Sequence, residues 1–259
     1  DIRKDFIFID DGSTDGSLVT LKKATREMQK VTILSQENNG YAVSLNKAAG
    51  LVMGDYVHFV EGDEVLHSSS TDLLIKTSLK LNVEVVVGQV SCGSTNFLDI
   101  PIKENQILIE EPLKKILKKR LPAISQVGAS GSLISSNLLK KSGMADEKIY
   151  TQNMSLSLRC AKHSSFGYIN SNISLIPSKK IDRRFVAYNN IRSIHNFVQE
   201  NPDIFKDSMA DLISALGANV LNILDKIKYN IKYLIGKFFK GPTLYEVLDL
   251  YKKELDKLF

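Results

Sequence analysis

The chain has 259 residues, 43% of them apolar and 24% charged, with a net charge of +5. That length buries a substantial core, as one large domain or a domain with an appendage, and the composition excludes a disordered tract. No apolar run approaches the roughly 18 residues of a membrane span, the charge is too mild to make nucleic acid an expected partner, and Cys92 and Cys160 fit small buried thiols in a reducing compartment better than a disulfide framework.

Residues 6–9, FIFI, are a continuous apolar run ended by turn residues, the pattern of a short buried strand. Residues 17–29 set Leu18, Leu21 and Met28 among lysines, which predicts an amphipathic helix. Residues 31–34 are the next strand, an Asn-Asn-Gly turn follows, and residues 41–52 form a second helix stopped at Gly54. Residues 56–60 are a third strand running into Glu61, Gly62, Asp63 and Glu64. Strand and helix in alternation with short loops argue for a parallel sheet with right-handed crossovers. Ligands of such sheets sit beyond the carboxyl ends of the strands. Asp10 and Asp11 end one strand and the cluster at 61–64 ends another, so both are expected to face one crevice.

Farther along, residues 73–81 read as helix, residues 83–90 (VEVVVGQV) as a β-branched strand, and residues 112–121 as a basic helix opened by Pro112. GSLISSNLLKKSG, from Gly131, predicts a strand entering a short helix closed by Gly143. Residues 156–161 are helical, with two short strands expected at 166–170 and 173–176. His58 alternates within a strand and is assigned to structure. From residue 186 the texture turns helical: Met209, Leu212, Leu216, Val220, Ile223, Ile227, Ile231 and Leu234 recur at steps of three or four. Gly241 and Pro242 end that helix, and a last one covers residues 244–258. The expected organisation is an α/β domain over residues 1–185 and a helical region over 186–259. The stretch KIKYNIKYLIGKFFKG, from Lys226, is either a packing helix with a wet lysine face or a dock for an anionic membrane surface.

The loop DDGSTDGS admits three readings. Asp11, Ser13 and Asp15 alternate as in a calcium loop with Gly16 in sixth place, but Lys22 stands where that loop needs a glutamate. A solvated turn capped by Asp15 or Ser17 accounts for part of it, yet not for two adjacent aspartates ending a buried strand. The third reading is a nucleotide site. A strand-end carboxylate accepts a hydrogen bond from a base or a ribose, and a second acid cluster holds a divalent cation on the diphosphate. The sequence shows no glycine-rich phosphate loop, so a metal takes the place of backbone amides as the phosphate clamp.

IDDGSTDGS followed by ENNGYAVSLNKAAGLVMGDYVHFVEGDE resembles the nucleotide-binding half of the family-2 inverting glycosyltransferases of the GT-A fold. The match is close over residues 5–66 and looser over residues 128–177. The resemblance implies an α/β, Rossmann-like and mainly parallel sheet flanked by helices, with a helical C-terminal region. It implies transfer of a sugar, with inversion, from a nucleoside-diphosphate-sugar donor to a hydroxyl acceptor: a glycan, a lipid-linked sugar or a polysaccharide of the cell envelope. It also implies work in the cytoplasm, in part at the membrane face. Asp10 and Asp11 would sit by the nucleoside, Asp11 on the base, with Asn39 and Gly40 lining the pocket. Glu61 and Asp63 occupy the place of the family's D-x-D, which makes Asp63, aided by Glu61, the ligand of Mg²⁺ or Mn²⁺. Arg183, Arg184 and His195 fall where a late segment closes over the diphosphate or the metal. The family's first strand has no counterpart, which implies that an N-terminal piece of the fold lies outside this sequence.

One departure bears on catalysis. In GMADEKIYTQNMSLSLR the family's acidic pair, which supplies the general base, reads Gln152 and Asn153. An amide does not take a proton from an attacking hydroxyl, and Asp146 and Glu147 are the nearby carboxylates. The resemblance is therefore compatible with an active transferase whose base lies elsewhere or with a catalytically impaired nucleotide-sugar-binding scaffold. A sugar nucleotidyltransferase would call for a glycine- and arginine-rich N-terminal loop, which is not seen.

Overall fold

The first strand, β1 (Phe6–Asp11), carries four apolar residues and then both aspartates. It pairs in parallel with β2 (Val31–Gln36), from Phe6 opposite Val31 to Asp11 opposite Gln36. This is a computed structural model, and it describes residues 2–93, 105–117, 127–128, 131–176 and 183–205. Helices α1 (Ser17–Ala24) and α2 (Tyr41–Gly50) follow the two strands. The latter buries Ala42, Leu45 and Ala49 at helical spacing.

The remaining elements are β3 (Tyr56–His58), β4 (Val65–Leu66), α3 (Ser70–Leu81), β5 (Val85–Cys92), β6 (Gln106–Ile109), α4 (Pro112–Leu117), β7 (Ser132–Ser135), α5 (Ser136–Lys141), α6 (Gln152–Ala161), β8 (Phe166–Ile176) and α7 (Arg183–Glu200). They build a second sheet in the order β3-β7-β5-β8-β4, with β6 added on β8. The α/β class is as expected, but this sheet is mixed where a mainly parallel one was expected. β5 and β8 run parallel, while β7 runs antiparallel to both β3 and β5, and β4 and β6 antiparallel to β8. The alternation that suggested parallel strands covers only the first three, and strand direction is not written into a tetrapeptide such as SLIS.

Both faces of the second sheet are covered, which explains why VVVGQV reads as a continuous apolar run. Val85 and Val87 pack with Ile134, Leu156, Leu158 and Phe197 on one face, whereas Val86 packs with Leu73, Leu74, Leu133 and Ile173 on the other. Each fully buried side chain of this kind contributes about 1.5–3 kcal/mol. α7 places Ile191, Ile194, Phe197 and Val198 in the first of these clusters. The expected boundary at residue 185 thus falls inside a helix that shares the α/β core. The helices expected beyond residue 205, the basic stretch from Lys226 and residues 118–121 lie outside the described residues.

The two strands expected at 166–170 and 173–176 are one strand with a bulge: Gly88 pairs with Ile169 and Gln89 with Asn172. Gly88 suits that bulge because a Cβ there would stand 2.5 Å from the Ile173 Cδ1. Among the described residues β1 pairs only with β2, and β3 only with β7. A cavity of about 1280 Å³ opens beside β1 and β3, and its lining includes Phe6, Ile9, Tyr56 and Val57 from the strands together with Asp11, Glu61 and Asp63.

Candidate active site

The period of two along a strand sends the side chains of Asp10 and Asp11 to opposite faces of β1. Asp10 is buried and accepts a hydrogen bond from Ser35 Oγ at 2.9 Å. Ser13 and Ser35 hold its carboxyl below the usual range. Asp10 does not lie on the cavity wall; Asp11 does. Asp11 Oδ1 accepts from Gln36 Nε2 at 2.7 Å and from the Asn39 amide at 3.0 Å, and Oδ2 accepts from the Gly40 amide at 2.9 Å. Helix α2 has no side-chain cap of its own, and the Asp11 carboxylate takes the amides of the two residues that lead into it, Asn39 and Gly40. Burial alone would raise the Asp11 pKa, but the Asn39 amide, Gln36, the Gly40 amide and Ser44 together hold it below the ordinary carboxylate value.

Two glycines permit this approach. Gly12, at φ +79°, lies so close to the next loop that a Cβ would stand 2.7 Å from the Asn38 nitrogen. Gly40, at φ +88°, turns the chain into α2 in the left-handed region. The Asn39 side chain donates to the Glu37 carbonyl at 2.8 Å, and it is Asn38 that lines the cavity beside Gly40. The loop runs from strand to helix, unlike the helix-flanked calcium loop its spacing suggested.

Across the cavity stand Glu61, Gly62 and Asp63. They belong to a turn closed by the Glu64 amide donating to the Glu61 carbonyl at 3.0 Å, with the Glu61 amide returning to Glu64 Oε2 at 3.2 Å. Tyr41 joins this turn to the start of α2. Its hydroxyl donates to the Gly128 carbonyl at 2.8 Å, and its pKa is raised by burial first and then by Glu61 and Glu64. His58 bonds Thr71 Oγ1 through Nδ1 at 3.0 Å, consistent with a structural role.

The third wall is residues 150–153. Gln152 has no exposed surface. Its Oε1 accepts from the Asp146 amide at 2.9 Å, and its Nε2 donates to the Asp146 carbonyl at 2.8 Å and to the Ile149 carbonyl. That staple needs an acceptor and two donors at once, which an amide has and a carboxylate lacks. Asn153, the next residue, is half-buried on the cavity wall. Asn46 of α2 braces the same turn: Nδ2 donates to the Ala145 carbonyl at 3.1 Å and to Glu147 Oε1 at 2.9 Å, and Oδ1 accepts from the Ala145 amide at 2.8 Å. Asp146 accepts from the Lys148 amide at 3.0 Å and from Asn196 Nδ2 at 3.0 Å. Both nearby carboxylates thus have partners, Asp146 in the turn and on α7 and Glu147 on α2, and both are off the cavity wall. His195 is also off the wall, and the side chains of Arg183 and Arg184 lie outside the description.

The cavity thus brings together Asp11, Gly40, Glu61, Asp63, Gln152 and Asn153. Sequence reasoning missed Asn46, Tyr41 and the side-chain partners of Asp11, Gln36 and Ser44. Among the described residues no three His, Cys, Asp or Glu side chains converge as a metal cage.

Comparison with known proteins agrees with this architecture. The profile of Glycosyl transferase family 2 matches residues 2–141, more than half of the chain. Similar curated proteins include the cholesterol galactosyltransferase of Borreliella burgdorferi, 32% identical over 105 residues that make up 40% of this chain and 28% of that protein. Glycosyltransferase YibD of Escherichia coli is 31% identical over 81 residues, 31% of this chain and 24% of that protein. The chain therefore aligns with about a quarter of these relatives' length. Among solved structures, TarS from S. aureus in complex with UDP superimposes with a TM-score of 0.59 at 15% identity, covering 88% of this chain and 67% of that one. TarS in complex with UDP-GlcNAc gives 0.55 at 14% identity, covering 85% and 72%. These likenesses establish the GT-A fold, and the match over residues 2–141 makes this chain a member of glycosyl transferase family 2.

Proposed function

We propose that this glycosyltransferase takes its sugar from a nucleoside-diphosphate donor bound beyond the carboxyl ends of β1 and β3, where Asp11, Glu61 and Asp63 stand, and delivers it, with inversion, to a hydroxyl acceptor. The observation that carries the reading is the convergence of Asp11 with its amide partners, the Glu61 and Asp63 carboxylates and Asn153 on one cavity. Asp11, ionised and facing the cavity, suits a donor group of the nucleoside. Asp10 supports the loop from behind. The fold neighbour TarS holds UDP and UDP-GlcNAc, so uridine nucleotides are the first donors to test.

Glu61 and Asp63 offer hard oxygen ligands, a set that fits Mg²⁺ or Mn²⁺. Mg²⁺ characteristically takes one or two carboxylates and completes its shell with phosphate oxygens and water. Once bound, such an ion would offset charge on the leaving diphosphate. The acceptor is proposed to be a glycan or lipid-linked sugar met at the cytoplasmic membrane face, on the strength of the basic and aromatic stretch from Lys226.

A second reading is favoured by Asn153: the chain binds a nucleotide sugar and, lacking a carboxylate at the base position, serves as a scaffold. Calorimetric titration with UDP, GDP and dTDP in Mn²⁺, beside Asp63→Ala, separates the cases. Binding that weakens in Asp63→Ala supports the donor site, and binding without sugar release or transfer favours the scaffold. No binding to any of the three overturns both.

A further inference from the structure

Behind Asp11 lies a row of polar groups, two of which, Gln36 and Lys47, stand off the cavity wall. We propose that Gln36 and Lys47 are positioning residues, acting in series to hold the Asp11 carboxylate in place for the nucleoside; this rests on the donor-binding reading above. Lys47 Nζ stands 2.9 Å from Gln36 Oε1, and Gln36 Nε2 stands 2.7 Å from Asp11 Oδ1 and 3.0 Å from Ser44 Oγ. Gln36 sits directly opposite Asp11 in the β1–β2 register, and Ser44 and Lys47 lie three residues apart on α2. Asp11 and Ser44 line the cavity, while Gln36 and Lys47 do not.

The donor and acceptor roles along this row have one solution. An ammonium only donates and a carboxylate only accepts, so Gln36 must turn its oxygen to Lys47 and its nitrogen to Asp11. Both ends dictate the same orientation of a single amide. Without Lys47 that amide loses the partner that distinguishes its oxygen from its nitrogen. A flipped amide would present oxygen to oxygen at Asp11. With the row intact, Gln36 and the Asn39 amide meet Oδ1 and the Gly40 amide meets Oδ2, which fixes the plane of the carboxylate at the cavity wall. Charge-assisted bonds of this kind are stronger than neutral ones, so the carboxylate is fixed in direction as well as in charge.

The test uses the 259-residue chain with UDP and Mn²⁺ as the probe. Gln36→Leu is expected to weaken UDP binding about tenfold or more, and Lys47→Met about two- to fivefold, since the first removes the bond to the carboxylate itself and the second an exposed bond one residue farther back. Lys47→Arg keeps the donor and restores binding. The double variant Gln36→Leu/Lys47→Met should match Gln36→Leu, because Lys47 acts through Gln36. In the ligand-free protein, carboxyl NMR should show Asp11 titrating at higher pH in Gln36→Leu, closer to the ordinary value. Additive losses in the double variant, or unchanged UDP affinity in Lys47→Met, overturn the proposal while leaving the donor site standing. A wild-type chain that binds none of UDP, GDP and dTDP overturns the donor site, and this proposal with it.

Discussion

Replacing Asn153 by aspartate puts a carboxylate at the second residue of α6, on the cavity wall and beside the buried staple of Gln152. The helix receives it well. Thr151 makes no side-chain cap and the first turn of α6 holds no acid, so a charge there gains about 0.3–1 kcal/mol from the unsatisfied N–H groups. That gain lowers the new carboxyl's pKa by a few tenths of a unit, and the group stays ionised at neutral pH. A positioned general base is worth about 10²–10⁴ in rate, or about 3–5 kcal/mol of barrier. Asn153→Asp is therefore expected to raise turnover of the accepted nucleotide sugar by at least about a hundredfold, with a small rise in thermal stability. The assay is release of nucleoside diphosphate, with and without sugar acceptors, run beside thermal unfolding. Stability that rises while release stays at the wild-type rate would refute the assignment and place the reacting oxygen away from residue 153.

Two further outcomes follow from the packing. Gln152→Glu removes both donors of the staple and sets a negative charge against two carbonyls, which should cost roughly 2–4 kcal/mol at pH 7. The folded state raises the pKa of that new carboxyl above its unfolded value near about 4.3, so stability should recover as pH falls through the folded pKa. Urea unfolding at pH 7 and pH 5 checks this, and wild-type stability at both would count against the staple. Cys160 is buried and its thiol is pushed up to about 12, mainly by desolvation, whereas Cys92 is exposed. Alkylation of the native protein should mark Cys92 and reach Cys160 only after unfolding; labelling of both in the native state would refute the packing of α6.

What the sequence determined by itself was everything that a local run of residues encodes. The apolar run 6–9 had to be a strand, residues 41–52 a helix, which the structure ends at Gly50, and the acids after residues 9 and 60 had to sit where strands end. Those three inferences, with the resemblance over residues 5–66, located Asp11, Gly40, Glu61 and Asp63. The structure places all four on one cavity. Strand direction in the second sheet was not legible, because pairing is chosen between segments far apart and VVVGQV or SLIS packs equally well either way up.

The tertiary structure decided which polar residue does what. Asp10 and Asp11 are chemically identical neighbours, yet the pleat sends only Asp11 to the cavity, and Gln36, from the adjacent strand, meets its carboxylate from off the cavity wall. Gln152 and Asn153 look alike as a lost acidic pair, but the fold buries the first as the staple of a turn and leaves the second half-exposed on the wall. A side chain's chemistry is written in its own residue. Its orientation, partners and burial are set by elements distant in the chain, and these separate a cavity-facing group from a structural one.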